Sequence, residues 1–288
     1  MTLKSFFKSF TRILPDKAYV RLDYIRNLHR FPNLRNPETF NEKLQWLKLY
    51  NHVPEYTKMA DKLAMRTYVE SKIGSGHTVP VLGVWNSFEE IDFSSLPDSF
   101  VLKCNNDSGH FVICKDKKKL EMGYARKRIR EGLGTNYYYQ NREWVYKDIV
   151  PKVFAEKYLQ QNKDQNLWDY KFFCFNGQPR IMYMEKEASD IKTEAFFDMD
   201  KKYLDLEMDD PRPAVPPALP SCFAEMSAMA VKLSQGIPFL RVDFFFVEGS
   251  IYVGELTFFH CGGLAPVKPE HWNKELGSWI ELPKEKRI

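Results

Sequence analysis

The chain has no apolar run approaching the ~18–20 residues of a membrane span, and its N-terminus lacks the apolar core and cleavage site of a secretory leader. It has no CxxC pair, and five cysteines, an odd number, argue against a disulfide framework or a structural zinc. Charge of one sign is scarce in excess: a net charge of +4 allows anionic small molecules or polymers as partners, but is too small to argue for nucleic acid. No GxxxxGK[ST] is present, and Gly132-Leu133-Gly134 is followed by neither a third glycine nor a helix signal. The common phosphate-loop and dinucleotide motifs are thereby excluded. No internal repeat or low-complexity segment appears. These absences predict a cytoplasmic chain with reduced thiols.

What is there suffices for a large core. The chain has 288 residues, 44% of them hydrophobic, which predicts two or three compact lobes. Met1 to Arg30 interleaves Leu3, Phe6, Phe7, Phe10, Ile13 and Leu14 with Lys4, Lys8, Arg12 and Lys17. Such a basic amphipathic helix docks on its own domain or, alternatively, associates weakly with the inner face of a membrane. A helix is expected from Asn36-Pro37-Glu38, with Phe40, Leu44, Leu47 and Leu49 buried, and Val53-Pro54 breaking it. Ala60 to Val69 predicts a second helix, ended by Ile73-Gly74, and Val79 to Trp85 a short strand.

Strands are expected at 99–104 and 111–114 around the polar loop 105–110, at 153–159, and at 169–175 and 179–184 across the Asn176-Gly177 turn. Proline-rich 205–220 reads as a loop and Phe223 to Ser234 as a helix. The expected class is α+β with largely antiparallel sheets.

The most informative stretch is 240–257, two apolar strands joined at Glu248-Gly249-Ser250. A three-residue loop there would set Asp243 opposite Glu255 and Arg241 opposite Thr257. Like charges directly opposed across a sheet are destabilising unless compensated. A hard divalent cation such as Mg²⁺ compensates them, sharing its remaining positions with phosphates and water; an ordinary hairpin with a solvated polar face is the alternative. Lys103, Lys157, Lys171 and Arg241 stand inside or at the ends of apolar strands, where they snorkel to an edge or face a cleft. Cations and paired carboxylates together are what a metal–triphosphate site requires.

Taken in order, Asp61-Lys62, Val101-Leu102-Lys103-Cys104-Asn105, Glu156-Lys157-Tyr158-Leu159, Asp169-Tyr170-Lys171-Phe172, Arg241-Val242-Asp243 and Gly254-Glu255-Leu256-Thr257 resemble the ATP-grasp ligases. More narrowly they are similar to the teichuronopeptide-biosynthesis (TupA-like) branch, found among surface-polysaccharide genes. The resemblance runs from about Asn36 to Pro283 and implies an ATP-grasp fold, with an N-terminal helical and α/β lobe over 1–98. A small subdomain with phosphate loop and hinge would follow over 99–159, and a subdomain carrying the Mg²⁺ site over 160–288.

The resemblance also implies roles. Lys62, Lys103 and Lys171 would contact ATP phosphates, under a cover formed by 105–110 with Ser108 and Gly109. Glu156 to Leu159 (with Lys157 and Tyr158) would be the hinge that reads adenine. Asp243, Glu255 and Thr257 would hold Mg²⁺, and Arg241, with Lys103 and Lys171, would act in catalysis. Thr257 stands where the family usually has asparagine, Asp107 where it tends to be neutral, and His260-Cys261-Gly262-Gly263 where a proline is expected.

The implied reaction joins a carboxylate sugar or sugar nucleotide to an amine through an acyl phosphate. Asp198-Met199-Asp200 leaves a metal-dependent glycosyltransferase as the alternative. A Cys261–His260 hydrolase is disfavoured, because neighbours on an extended segment point apart. A non-catalytic carbohydrate-binding module is the last reading, since aromatics reach 15%.

Overall fold

The computed structural model describes residues 12–160, 167–186 and 192–288. The first 11 residues of the basic N-terminal helix expected over Met1–Arg30 lie outside them; the described remainder holds α1 (Asp16–Leu28), with Val20 and Tyr24 buried. Three helices follow: α2 (Phe40–Tyr50), α3 (Pro54–Ala60) and α4 (Met65–Ile73). The start of α2 is set by Thr39 rather than by Asn36-Pro37. Thr39 and Glu42 form a reciprocal capping box, satisfying two backbone donors that the first turn leaves orphaned. Pro54 begins a helix instead of merely ending one, because the missing proline N–H is no loss at a first helical position.

Two antiparallel sheets carry the rest. The first has four strands: β1 (Val81–Trp85), β2 (Phe100–Cys104), β3 (Phe111–Cys114) and β4 (Val153–Lys157), in the order β1-β4-β2-β3. Since β1 pairs with β4, this sheet spans the boundary expected near residue 98. Helix α5 (Met122–Leu133) covers one face, burying Ala125 and Ile129 against Leu102, Cys104, Val112, Val153 and Ala155. A short helix, α6 (Tyr138–Asn141), leads back toward β4.

The second sheet has five strands: β5 (Trp168–Phe175), β6 (Gln178–Lys186), β7 (Thr193–Asp198), β8 (Phe239–Val247) and β9 (Ser250–Thr257), in the order β7-β6-β5-β8-β9. Helix α7 (Phe223–Ser234) packs on one face through Phe223, Met226, Ala230 and Leu233, and Phe223 meets the Phe172 ring at 5.6 Å. Phe40 of α2 reaches the opposite face, against Phe173 and Phe239 at 6.0 and 5.1 Å. A last helix, α8 (Glu270–Trp279), crosses α2 so closely that Gly277 leaves no room for a Cβ.

The β8–β9 turn differs from expectation in an instructive way. It has two residues, Glu248 and Gly249, both at positive φ (51° and 79°), as a type I′ turn requires. Alone, that turn would shift the pairing by one residue. A bulge between Asp243 and Phe244 makes up the difference, with Gly254 as the extra residue, so Asp243 still faces Glu255 and Arg241 still faces Thr257. A Cβ on Gly254 would lie 2.6 Å from the Phe245 ring, so glycine suits the bulge.

Candidate active site between the two sheets

Strand alternation places the charged side chains. Lys103 pairs with Phe154 and Val101 with Glu156, so Lys103 and Glu156 share the face turned away from α5. On the second sheet, pairing runs Tyr183–Lys171–Asp243–Glu255 across β6, β5, β8 and β9, on the face turned away from α7. An open cleft lies between these faces. Lys62, Met65, Arg66, Val79, Lys103, Phe154, Glu156, Val253 and Gly254 line it.

Lys62 joins the two sheets. Its ammonium donates to the Asp107 carbonyl in the 105–110 loop at 2.5 Å and to Glu255 Oε1 at 3.1 Å. Burial works against the Lys62 ammonium, but Glu255 outweighs it, and its pKa rises. Burial likewise works against the Glu255 carboxylate, and Lys62 and Arg241 outweigh that, bringing its pKa to about 2. Lys103 forms an ion pair with Glu156 on the opposite wall.

Arg241 is the most constrained cation. Its Nε and Nη2 donate to the two oxygens of Asp243 at 2.7 and 2.6 Å, a bidentate pair. Its Nη1 lies 2.9 Å from His260 Nδ1, and Nη2 lies 3.7 Å from Glu255. Both Arg241 and Asp243 are buried. Burial opposes the guanidinium charge, Asp243 more than restores it, and the pKa rises.

Lys171 lies 2.6 Å from Glu185 and 3.6 Å from Asp169. Burial would raise the Glu185 carboxyl, but Lys171 and Lys192 bring it down to about 2. Asp169 goes the other way: burial lifts it to about 6 despite Lys171.

The expected site residues therefore fall into two groups, which the Lys62–Glu255 contact joins. Lys62, Lys103 and Glu156 line the cleft; Lys171, Arg241, Asp243, Glu255 and Thr257 share the sheet face beneath it. Lys157 points elsewhere, its side chain exposed and its N–H bonded to the Pro80 carbonyl at 2.9 Å. Tyr158 is half-buried, and Leu159 packs with Val79 and Val247. Ser108 and Gly109 are exposed at the loop tip, where Gly109 has φ 97° and its carbonyl accepts from Arg128 at 2.5 Å. Asp107 does not confront the cleft: its buried carboxylate pairs with His110.

Two residues that sequence reasoning missed belong here, Glu185 and His260. Glu185 ends the apolar run Ile181-Met182-Tyr183-Met184, a carboxylate in a strand of the kind that singled out Asp243. The expectation that His260 and Cys261 point apart also needs correction. Cys261 is not extended but left-handed (φ 46°), and its sulfur lies 3.6 Å from His260 Nε2. Burial holds the Cys261 thiol up at about 12, and burial with Arg241 holds His260 well below its ordinary value, so the pair does not form a thiolate–imidazolium nucleophile. Asp198, of the DxD alternative, closes a turn by accepting the Lys202 N–H at 2.8 Å.

The donor set fits a shared cation. Asp243 and Glu255 are hard oxygen donors on facing strands, and the Thr257 hydroxyl beside them is buried without a hydrogen-bond partner. Among the described residues no three His, Cys, Asp or Glu side chains converge on one metal position, so the protein's carboxylates would supply only part of a coordination sphere. Mg²⁺ takes its remaining oxygens from phosphate and water.

Two antiparallel sheets, each backed by a helix, with Lys62 and Lys103 lining the cleft beside them, define an α+β architecture. The chain belongs to the TupA-like ATPgrasp family, whose sequence model matches residues 42–281. Among solved structures it is similar to D-alanine–D-alanine ligase from Bacillus anthracis complexed with ATP (17% identity, covering 69% of this chain and 55% of that one, TM-score 0.41). It is also similar to the Helicobacter pylori D-alanine–D-alanine ligase (14%, 85% and 70%, TM-score 0.43). A third is the ATP-grasp ligase PsnB with minimal precursor, Mg and ADP (12%, 75% and 57%, TM-score 0.40). The chain spans 55% and 57% of the length of the two Bacillus anthracis structures it matches. No curated protein matches it in sequence.

Proposed function

We propose that the protein is an ATP-dependent carboxylate–amine ligase that forms an amide through an acyl phosphate. The carboxylate would be a uronic acid of a surface polysaccharide, free or nucleotide-linked, and the amine an amino acid or small amine. The observation that carries the reading is the row Lys171–Asp243–Glu255 with Arg241 beside it and Lys62 above it. A carboxylate resists amine attack because oxide is a poor leaving group, and phosphorylation replaces it with a good one.

Lys62, Lys103 and Lys171 neutralise phosphate oxygens, exchanging their present partners Glu255, Glu156 and Glu185 for them. Mg²⁺ held by Asp243 and Glu255, with Thr257 alongside, would supply further charge neutralisation as the phosphoryl group transfers. Arg241, held rigidly by Asp243, offers its remaining N–H groups to the oxygen on which charge builds when the amine attacks. The loop 105–110, tied down through Lys62 and Arg128, keeps water from the acyl phosphate.

The test is an ADP-release screen of uronic acids and UDP-uronates against amino acids and small amines. Arg241→Ala and Glu255→Ala each abolish amine-dependent ADP release; full activity in either purified variant would sink the assignment. Release of UDP or GDP without ATP would instead favour the glycosyltransferase.

A further inference from the structure

The hydrogen bonding around Arg241 determines the state of its third partner. A guanidinium nitrogen has no acceptor lone pair, so in the 2.9 Å contact between Arg241 Nη1 and His260 Nδ1 the histidine must accept. That requires a neutral ring carrying its proton on Nε2; the Cys261 sulfur lies beside the ring, 3.6 Å from Nε2 and 3.8 Å from Nδ1. The residue is 1% exposed, with its ring packed at 4.8 Å from Phe173 and 5.9 Å from Tyr183. Burial, Arg241 and Lys171 all disfavour a charged imidazole there.

The turn that presents His260 is itself clamped from α2. Asn41 Nδ2 donates to the carbonyls of Gly263 and Ala265 at 3.1 and 3.0 Å. Gln45 Nε2 donates to those of Gly262 and Gly263 at 2.9 and 3.0 Å, and Lys48 Nζ to Gly262 at 2.7 Å. All three side chains are buried. The backbone they hold is left-handed at Cys261, Gly262 and Gly263 (φ 46°, 62° and 69°). A Cβ on Gly263 would lie 2.6 Å from Gln45 Nε2, so the turn fits against α2 only with glycine there. Five side-chain bonds to one short turn are far more than a connecting loop needs, and they end at the residue that touches Arg241.

We propose that His260 is the positioning residue for Arg241: a neutral acceptor, fixed by the α2 clamp, that sets the rotation of the guanidinium. Asp243 fixes one edge of the guanidinium and His260 the other, leaving the unused N–H groups of Nη1 and Nη2 with a single direction. That they act on the charge developing at the acyl centre rests on the ligase reading; the acceptor role of His260 does not.

Two measurements separate these. In the intact wild-type protein, ¹⁵N spectra of the histidine side chains at neutral pH show His260 with a bare Nδ1 and a protonated Nε2. A protonated Nδ1, or an imidazolium, overturns the proposal whatever the substrate proves to be. In the ADP-release assay, His260→Asn places an amide oxygen near the position of Nδ1 and keeps kcat within about fivefold, whereas His260→Leu fills the volume without an acceptor and lowers kcat about 10²-fold, with KM for ATP within about twofold. Equal losses in the two variants, or a loss confined to KM, overturn it. A wild-type protein that turns over no acid and amine pair ends the ligase reading, and the ring tautomer still decides the role of His260.

Discussion

Replacing Lys62 with methionine keeps most of the side-chain volume and removes the charge that bridges the 105–110 loop and the sheet beneath it. The Glu255 carboxyl moves from its ordinary 4.5 to about 2 in the fold, with burial opposing and Lys62 and then Arg241 responsible for the descent. At 1.36 kcal/mol per pH unit, that descent corresponds to about 3 kcal/mol. With Lys62 the larger of the two attractions, its removal costs about 2 kcal/mol of stability at neutral pH. The sign follows from the two pKa directions. A depressed carboxyl stabilises above pH 4.5 and loses that contribution as pH falls toward about 2. A raised lysine stabilises below its ordinary 10.5 and loses that contribution as pH climbs past it.

Urea unfolding of wild type and Lys62→Met should therefore show the full gap at pH 7, a narrowing below pH 4, and about half of it near pH 2.5. A ¹³C titration of the Glu255 carboxyl should show its pKa rising in the variant. Equal stability at pH 7, or a gap indifferent to pH, would refute the bridge as an electrostatic element.

Three further outcomes follow from packing and chemistry. Gly277→Ala places a Cβ 2.1 Å from the Glu38 carbonyl, where only backbone can yield, and should cost at least ~2 kcal/mol by chemical denaturation. Thr39→Ala breaks the capping box of α2 and should cost about 1 kcal/mol in the same assay. Cys261 is exposed in surface area, yet desolvation around its thiol and the nearby Asp209 push it up to about 12, so its iodoacetamide alkylation at pH 8 should run at least ~10²-fold slower than that of free cysteine; a rate near that of free cysteine would contradict the raised thiol.

The strands with strong alternation or turn chemistry were readable in advance: Phe111–Cys114 and the helix Phe223–Ser234 coincide with their expected limits, and Asn176-Gly177 turns as that dipeptide should. The facing of Asp243 and Glu255 was also readable, but through two compensating errors. The turn is one residue shorter than expected, and the bulge at Gly254 restores the register. A bulge depends on how a strand meets its partner, here on the Phe245 ring beside Gly254, and alternation within one strand does not reveal it.

Glu185 escaped notice because its importance comes from lying beside Lys171 and Asp169 on β5, which is a property of pairing and not of local sequence. His260 escaped because an extended backbone was assumed where three consecutive left-handed residues turn the chain. The two glycines after Cys261 were the available signal. The start of α2 was misplaced although Thr39-Phe-Asn-Glu42 spells a capping box.

The clamp on the His260 turn also bears on where the working protein begins. The family match starts at residue 42, but Thr39 caps α2, Phe40 packs on the second sheet, and Asn41 holds Gly263 and Ala265. A fragment trimmed to the matched span would keep every lysine and carboxylate of the cleft, together with Gln45 and Lys48, and lose the Thr39 cap, Phe40 and the two Asn41 bonds to the His260 turn. In this chain the helix ahead of the two sheets is part of the scaffold that holds Arg241, so the geometry of that arginine is a property of the N-terminal lobe as much as of the sheets.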